Sequence, residues 1–195
     1  MVEQPVLAAL TVALLVEGLV IAGIVLSIVS PRHRIWPPGE VSWRFWYYWG
    51  GSTITFAALV VVGYETAGQF VFDGLAWDLV GWFLVGVGGL FAAWAGYTFR
   101  TAESFGIEGR LHTEGPYALS RNPQYVGMAV VIVGVLLLVN SAWLVVGMLP
   151  VFPWLSLLPF AEEPWLRERF GEEYEAYCRR VPRFVGLTTV TRLFE

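Results

Sequence analysis

The chain has no lysine, one cysteine, two histidines and only 14% charged residues among its 195. A soluble domain of this size carries about a quarter charged residues, so composition argues against an ordinary water-soluble enzyme. The lone Cys178 excludes an internal disulfide, and together with His33 and His112 it leaves too few ligands for a typical structural zinc site. No metal is expected. Sixteen acidic residues against 12 arginines give a net charge of −4, which removes the broad basic footprint of a nucleic-acid binder.

What the chain has instead is apolar length. Hydrophobic residues make up 56%, and no charge interrupts residues 45–64, 79–99 or 122–161. Runs of roughly 20 apolar residues cross a bilayer core. The first apolar stretch, 6–29, is too long for a signal-peptide core, has no basic residue before it and contains Glu17 near its middle, so it reads as a retained span.

Five spans are expected, over residues 6–29, 50–72, 75–99, 125–139 and 141–160. The predicted fold class is all-α: a polytopic membrane helical bundle of about five transmembrane helices with a cytoplasmic C-terminal amphipathic helix. It forms one membrane domain, 1–195, with three spans in 1–99 and a cofactor-binding loop, helical hairpin and tail helix in 100–184. Asn140-Ser141 is the turn of the hairpin. Every arginine falls between spans one and two, between three and four, or after five. Because cytoplasmic loops collect basic residues, the expected topology has the N-terminus outside and the C-terminus and any active site in the cytoplasm of a cell-membrane protein. Residues 43–49, almost all aromatic, sit where an interfacial belt would fall. Gly88, Ala92 and Gly96 recur every four residues, the small-residue pattern that lets membrane helices approach closely. Glu17, in the middle of the first span, is a candidate either for a protonated, hydrogen-bonded acid between helices or for lining a substrate path.

Polar residues collect in 100–124 and 162–184. The first segment has turns at Gly115-Pro116 and Asn122-Pro123, with Pro123 suited to the first position of a helix whose first turn carries Gln124 and Tyr125. The second begins with Glu162-Glu163-Pro164 and continues as a helix with an apolar stripe of Leu166, Phe170, Tyr174 and Tyr177. Glu162 is expected at the junction of the last span and this helix, where a carboxylate favours a helix N-terminus.

Gly115-Pro-Tyr117, Arg121-Asn-Pro-Gln-Tyr125-Val-Gly127, Glu162-Glu163, Phe170-Gly-Glu-Glu-Tyr-Glu-Ala-Tyr177 and Val181-Pro-Arg183 occur in that order. Together they resemble the isoprenylcysteine carboxyl methyltransferase and phospholipid methyltransferase superfamily of integral membrane enzymes, over roughly 100–184. The resemblance implies S-adenosyl-L-methionine (SAM) as cofactor, held between the loop before span four and the cytoplasmic tail. It implies cofactor-binding positions at Tyr117, Asn122, Pro123, Gln124, Tyr125 and Glu162, with Gly109, Arg110, Leu111 and His112 beside them. Asn122 stands where the superfamily usually has histidine, and Leu158 where the prenylcysteine enzymes have an arginine. The acceptor is expected to be lipid-like or a small apolar molecule taken from the bilayer: an isoprenylcysteine carboxylate, a phospholipid amine or a small thiol. No catalytic base is assigned, since displacement at a sulfonium needs mainly alignment. The alternatives are a sterol-reductase-like NADPH-dependent membrane oxidoreductase, which shares the Tyr-rich pattern, and a non-catalytic homologue.

Overall fold

The architecture was obtained as a computed structural model that describes residues 4–98, 110–186 and 189. It consists of helices α1 (Gln4–Val29), α2 (Trp43–Thr66), α3 (Leu75–Thr98), α4 (Pro123–Val139), α5 (Ala142–Met148) and α6 (Val151–Arg180), with short 3₁₀ turns at Pro31–His33 and Gly115–Ala118. Among the described residues, four helical segments, with α5 and α6 counted together, are long and apolar enough to cross a membrane, and α4 is a shorter apolar helix of 17 residues. At about 1.5 Å per residue α4 is roughly 25 Å long, near the lower limit for a span.

The second span is displaced from its expected limits. It begins at Trp43, so the aromatic run forms its first turns, and it ends at Thr66. Gly68, at φ +70, turns the chain out of the helix, and its N–H donates to the Val139 carbonyl at the far end of α4. The expected turn at Asn140 is present. Asn140 adopts the left-handed conformation at φ 49 and caps α4 through its N–H to Leu136, while Ser141 Oγ accepts from the Leu144 N–H at the start of α5. Phe72 N–H donates to the Asn140 side chain, and the Asn140 amide donates to Asp73, so this turn is tied to the α2–α3 connection.

The prolines in the last span divide it without redirecting it. Pro150 and Pro153 cannot donate to the turn before them, and the helix is interrupted between α5 and α6, yet Leu149 and Pro150 keep right-handed helical angles. Contrary to expectation, no helix begins at Glu162. α6 passes through Glu162, Glu163 and Pro164 and breaks instead at Gly171, whose φ of 52 and ψ of −127 only glycine adopts without strain.

The closest helix contact is between α3 and α4. A Cβ on Gly88 would lie 2.7 Å from the Gly127 carbonyl, one on Gly127 would lie 2.7 Å from the Gly88 carbonyl, and one on Gly134 would lie 2.7 Å from the Gly81 carbonyl. The stripe on α3 is thus a packing face inside the bundle, met by glycines on α4. The opposite face of α3 exposes Leu79, Trp82, Phe83, Leu90 and Tyr97, a surface suited to hydrocarbon. The main core is built from α1, α2, α4, α5 and α6, with Leu10, Val20, Leu59, Ile132, Leu144, Val151 and Leu158 buried in it. Glu17 is fully buried in α1 with neither carboxylate oxygen hydrogen-bonded, as is the Thr55 hydroxyl.

A test follows from the glycine contacts. Gly127→Ala should lower stability by about 1–3 kcal/mol through overpacking, whereas Gly86→Ala, with no atom within 4 Å of its Cβ, should not. Equal thermal unfolding midpoints for the two variants in detergent would refute the close approach.

Candidate active site

Helix direction alternates, so the α1–α2 connection, the start of α4 and the tail all reach the same end of the bundle. Two carboxylates organise that end, Glu162 half-buried and Glu163 buried, and adjacent positions on α6 give them different partners.

Glu162 is the inner one. Its Oε1 accepts hydrogen bonds from the Trp36 indole N–H at 2.6 Å and the Tyr125 hydroxyl at 2.5 Å, while Oε2 receives none among the described residues. Trp36 comes from the α1–α2 connection. Ser27 Oγ, near the end of α1, accepts from the backbone N–H groups of Ile35 and Trp36 at 2.9 and 3.0 Å, which fixes that connection against the helix. The indole also packs on Tyr48 of α2, with centroids 4.0 Å apart, and Tyr48 in turn accepts from the Trp154 indole of α6. Four helices and one connection therefore set the orientation of a single carboxylate.

Glu163 is the structural one. Only 4% exposed, it accepts two bonds from Arg183, at 2.7 and 2.9 Å, and is paired with Arg121 at 3.0 Å and Arg167 at 3.2 Å. The hydrogen bond to Glu163 holds the Arg183 guanidinium above its usual pKa. Arg183 also lies over the Phe160 ring at 3.9 Å, and Arg121 donates to the Cys178 sulfur. The backbone completes the clasp: Arg121 N–H donates to the Pro182 carbonyl at 2.9 Å and the Asn122 side-chain amide to the Arg183 carbonyl at 2.8 Å.

The residues singled out in the sequence are distributed around this clasp. Tyr117 is buried in a second cluster with Ala95, Tyr174, Tyr177 and Val181, and its carbonyl accepts from the Tyr177 hydroxyl at 2.7 Å. The apolar stripe of the tail therefore covers the 3₁₀ turn, even across the Gly171 break. Leu111 and Phe170 pack on this cluster, and His112 lies beside Tyr117 with ring centroids 6.1 Å apart. Pro123 is fully buried at the first position of α4, while Gln124 faces Gly96 of α3. Arg110 is exposed at the edge of this region, and Gly109 lies outside the described residues. Asn122 has its amide N–H engaged by the tail, so its visible work is to close the clasp. Trp36 was not anticipated. The only signal for it was a tryptophan in an arginine-bearing, proline-rich connection.

Below Tyr125, between α4 and α6, lies a cavity of about 260 Å³ lined by Tyr125, Val126, Ala129, Val130, Phe152, Leu155, Ser156 and Phe184. Glu17 is not among the lining residues. Tyr125 thus belongs to both the carboxylate node and an apolar recess. Among the described residues no cluster of His, Cys, Asp and Glu could hold a metal.

Residues 77–173 match the phospholipid methyltransferase family, a segment that includes Tyr117, Tyr125 and Glu162 but not Trp36 or Arg183. No curated protein and no solved structure matches the chain.

Removing the centre of the arginine cluster is expected to loosen the tail. Glu163→Ala should cost about 3 kcal/mol, the magnitude for breaking a buried ion pair, and should expose the tail clasp to rapid hydrogen exchange. Exchange rates equal to those of the unmodified protein would contradict this role.

Proposed function

We propose that this chain, whose residues 77–173 match the phospholipid methyltransferase family, is an integral membrane methyltransferase that uses SAM and acts on a membrane-partitioned acceptor. The observation that carries the reading is Tyr125, whose hydroxyl bonds Glu162 while its side chain lines an apolar recess between two helices. That arrangement puts a site for a cation beside a site for an apolar molecule.

The donor set fits such a cofactor. Glu162 has one oxygen fixed by two donors and the other open, which suits a cationic sulfonium or ammonium group. The rings of Tyr117 and Tyr125 stand at the same end of the bundle and can add cation–π attraction. When bound, SAM would supply a methyl on a positively charged sulfur to a lone pair of the acceptor, the new bond to carbon forming as the carbon–sulfur bond breaks and leaves its electron pair on a neutral thioether. Glu162 would hold the positive end of the donor, while Trp36 and Tyr125 keep that carboxylate from rotating. The largely apolar lining of the recess, with Phe152, Leu155 and Phe184 in it, would receive the apolar tail of an acceptor beside Tyr125. Alignment of this kind accounts for much of the rate of a one-step displacement. The arginine-bearing end, with this site, is assigned to the cytoplasm by the basic-residue rule.

Full-length protein in lipid nanodiscs should be stabilised by S-adenosylhomocysteine and should transfer a radiolabelled methyl into a lipid extract. Glu162→Gln should weaken binding by about 10–100-fold, the value of a lost charged hydrogen-bonding partner. Stabilisation by NADPH and not by S-adenosylhomocysteine would replace this reading with the reductase.

A further inference from the structure

The α1–α2 connection holds a cation that the methyl-transfer reading does not use. Arg34 has its Nε buried without a hydrogen-bond partner. Its guanidinium carbon lies 5.7 Å from the Trp165 ring centroid, and that of Arg169 lies 5.5 Å from the same ring. Burial, and then the nearby Arg44, push the Arg34 guanidinium below its usual pKa, while Glu168 pulls it upward. Arg34 is thus a half-buried cation, its Nε withdrawn from water without a partner, with two further arginines in its surroundings and one acidic neighbour acting on it. Burying part of an incompletely paired charge is costly unless a counter-charge completes it.

Its place in the fold says where that counter-charge would sit. Arg34 precedes by two residues the Trp36 that bonds Glu162, and Trp165 follows Glu162 by three on α6. Three residues are most of one helical turn, a rise of about 4.5 Å on the same side of the helix. The guanidinium therefore stands at the rim of the Glu162 node, on the side away from the charge-free span. A planar guanidinium on an indole offers a paired set of donors to phosphate or carboxylate oxygens.

We infer that Arg34, seated on Trp165 and supported by Arg44 and Arg169, binds an anionic oxygen group, a phosphate or a carboxylate, at the rim of the Glu162 node. Two sources carry that chemistry: a lipid headgroup phosphate and the amino-acid carboxylate of the methyl donor. The second source rests on the methyl-donor reading above, and the first does not.

The test uses full-length protein, Arg34→Ala and Arg34→Lys in phosphatidylcholine nanodiscs, titrated with three probes. These are S-adenosylhomocysteine, its decarboxylated analogue and short-chain phosphatidic acid. Arg34→Ala should lose at least about tenfold in affinity for a carboxylate- or phosphate-bearing probe, as expected for a charged hydrogen-bonding group. Arg34→Lys should recover part of that loss, and the decarboxylated analogue should bind unchanged. Loss confined to S-adenosylhomocysteine assigns the donor carboxylate; loss confined to phosphatidic acid assigns the headgroup. Unchanged affinity for both anionic probes overturns the inference, and so does an equal loss for the decarboxylated analogue. If the unmodified protein binds neither nucleoside probe, the methyl-donor reading fails, and phosphatidic acid alone decides the anion site.

Discussion

A carboxylate at the end of an apolar bundle persists only if donors are brought to it, and the pairing of Glu162 with Trp36 and Tyr125 meets that requirement. The consequences reach through the fold. Ser27 must end α1 so as to bind the connection, Tyr48 must lie under the indole, and α4 must start where Tyr125 reaches α6. One oxygen is held by two donors, and the other accepts no hydrogen bond among the described residues.

The neighbouring Glu163 shows how one position changes a role. A shift of one residue along a helix turns the side chain by about 100°, which carries it from the aromatic node to the arginine cluster. There Arg121, Arg167 and Arg183 neutralise it and join the loop before α4 to the segment after α6. The clasp, and the burial of Tyr117 beneath Tyr174 and Tyr177, hold the tail over the site. Glycine contacts between α3 and α4 serve the same end from the opposite side, because close backbone approach places Gln124 beside Gly96 and sets where α4 begins.

Much of this was legible. The number of apolar segments, the Asn140 turn, the packing role of Gly88 and the apolar stripe of the tail follow from periodicity and turn chemistry, which are local. Limits were less legible where neighbours decide them. The aromatic run was read as a belt preceding α2, but it winds into the helix. Glu162-Glu163-Pro164 was read as a junction, but α6 continues through it because the interruption falls on Gly171, the residue able to adopt a positive φ.

The sequence alone determined that the chain is a helical membrane protein whose arginines all fall outside its apolar spans, because span length, hydrophobic content and charge placement are properties of short segments. Tertiary structure alone decided which of two adjacent glutamates is spent on arginines and which keeps an open oxygen. It also decided that Trp36, 126 positions from Glu162, belongs to the site. Hydrogen bonds between residues so distant in the chain depend on how the helices pack, and no local pattern encodes that geometry.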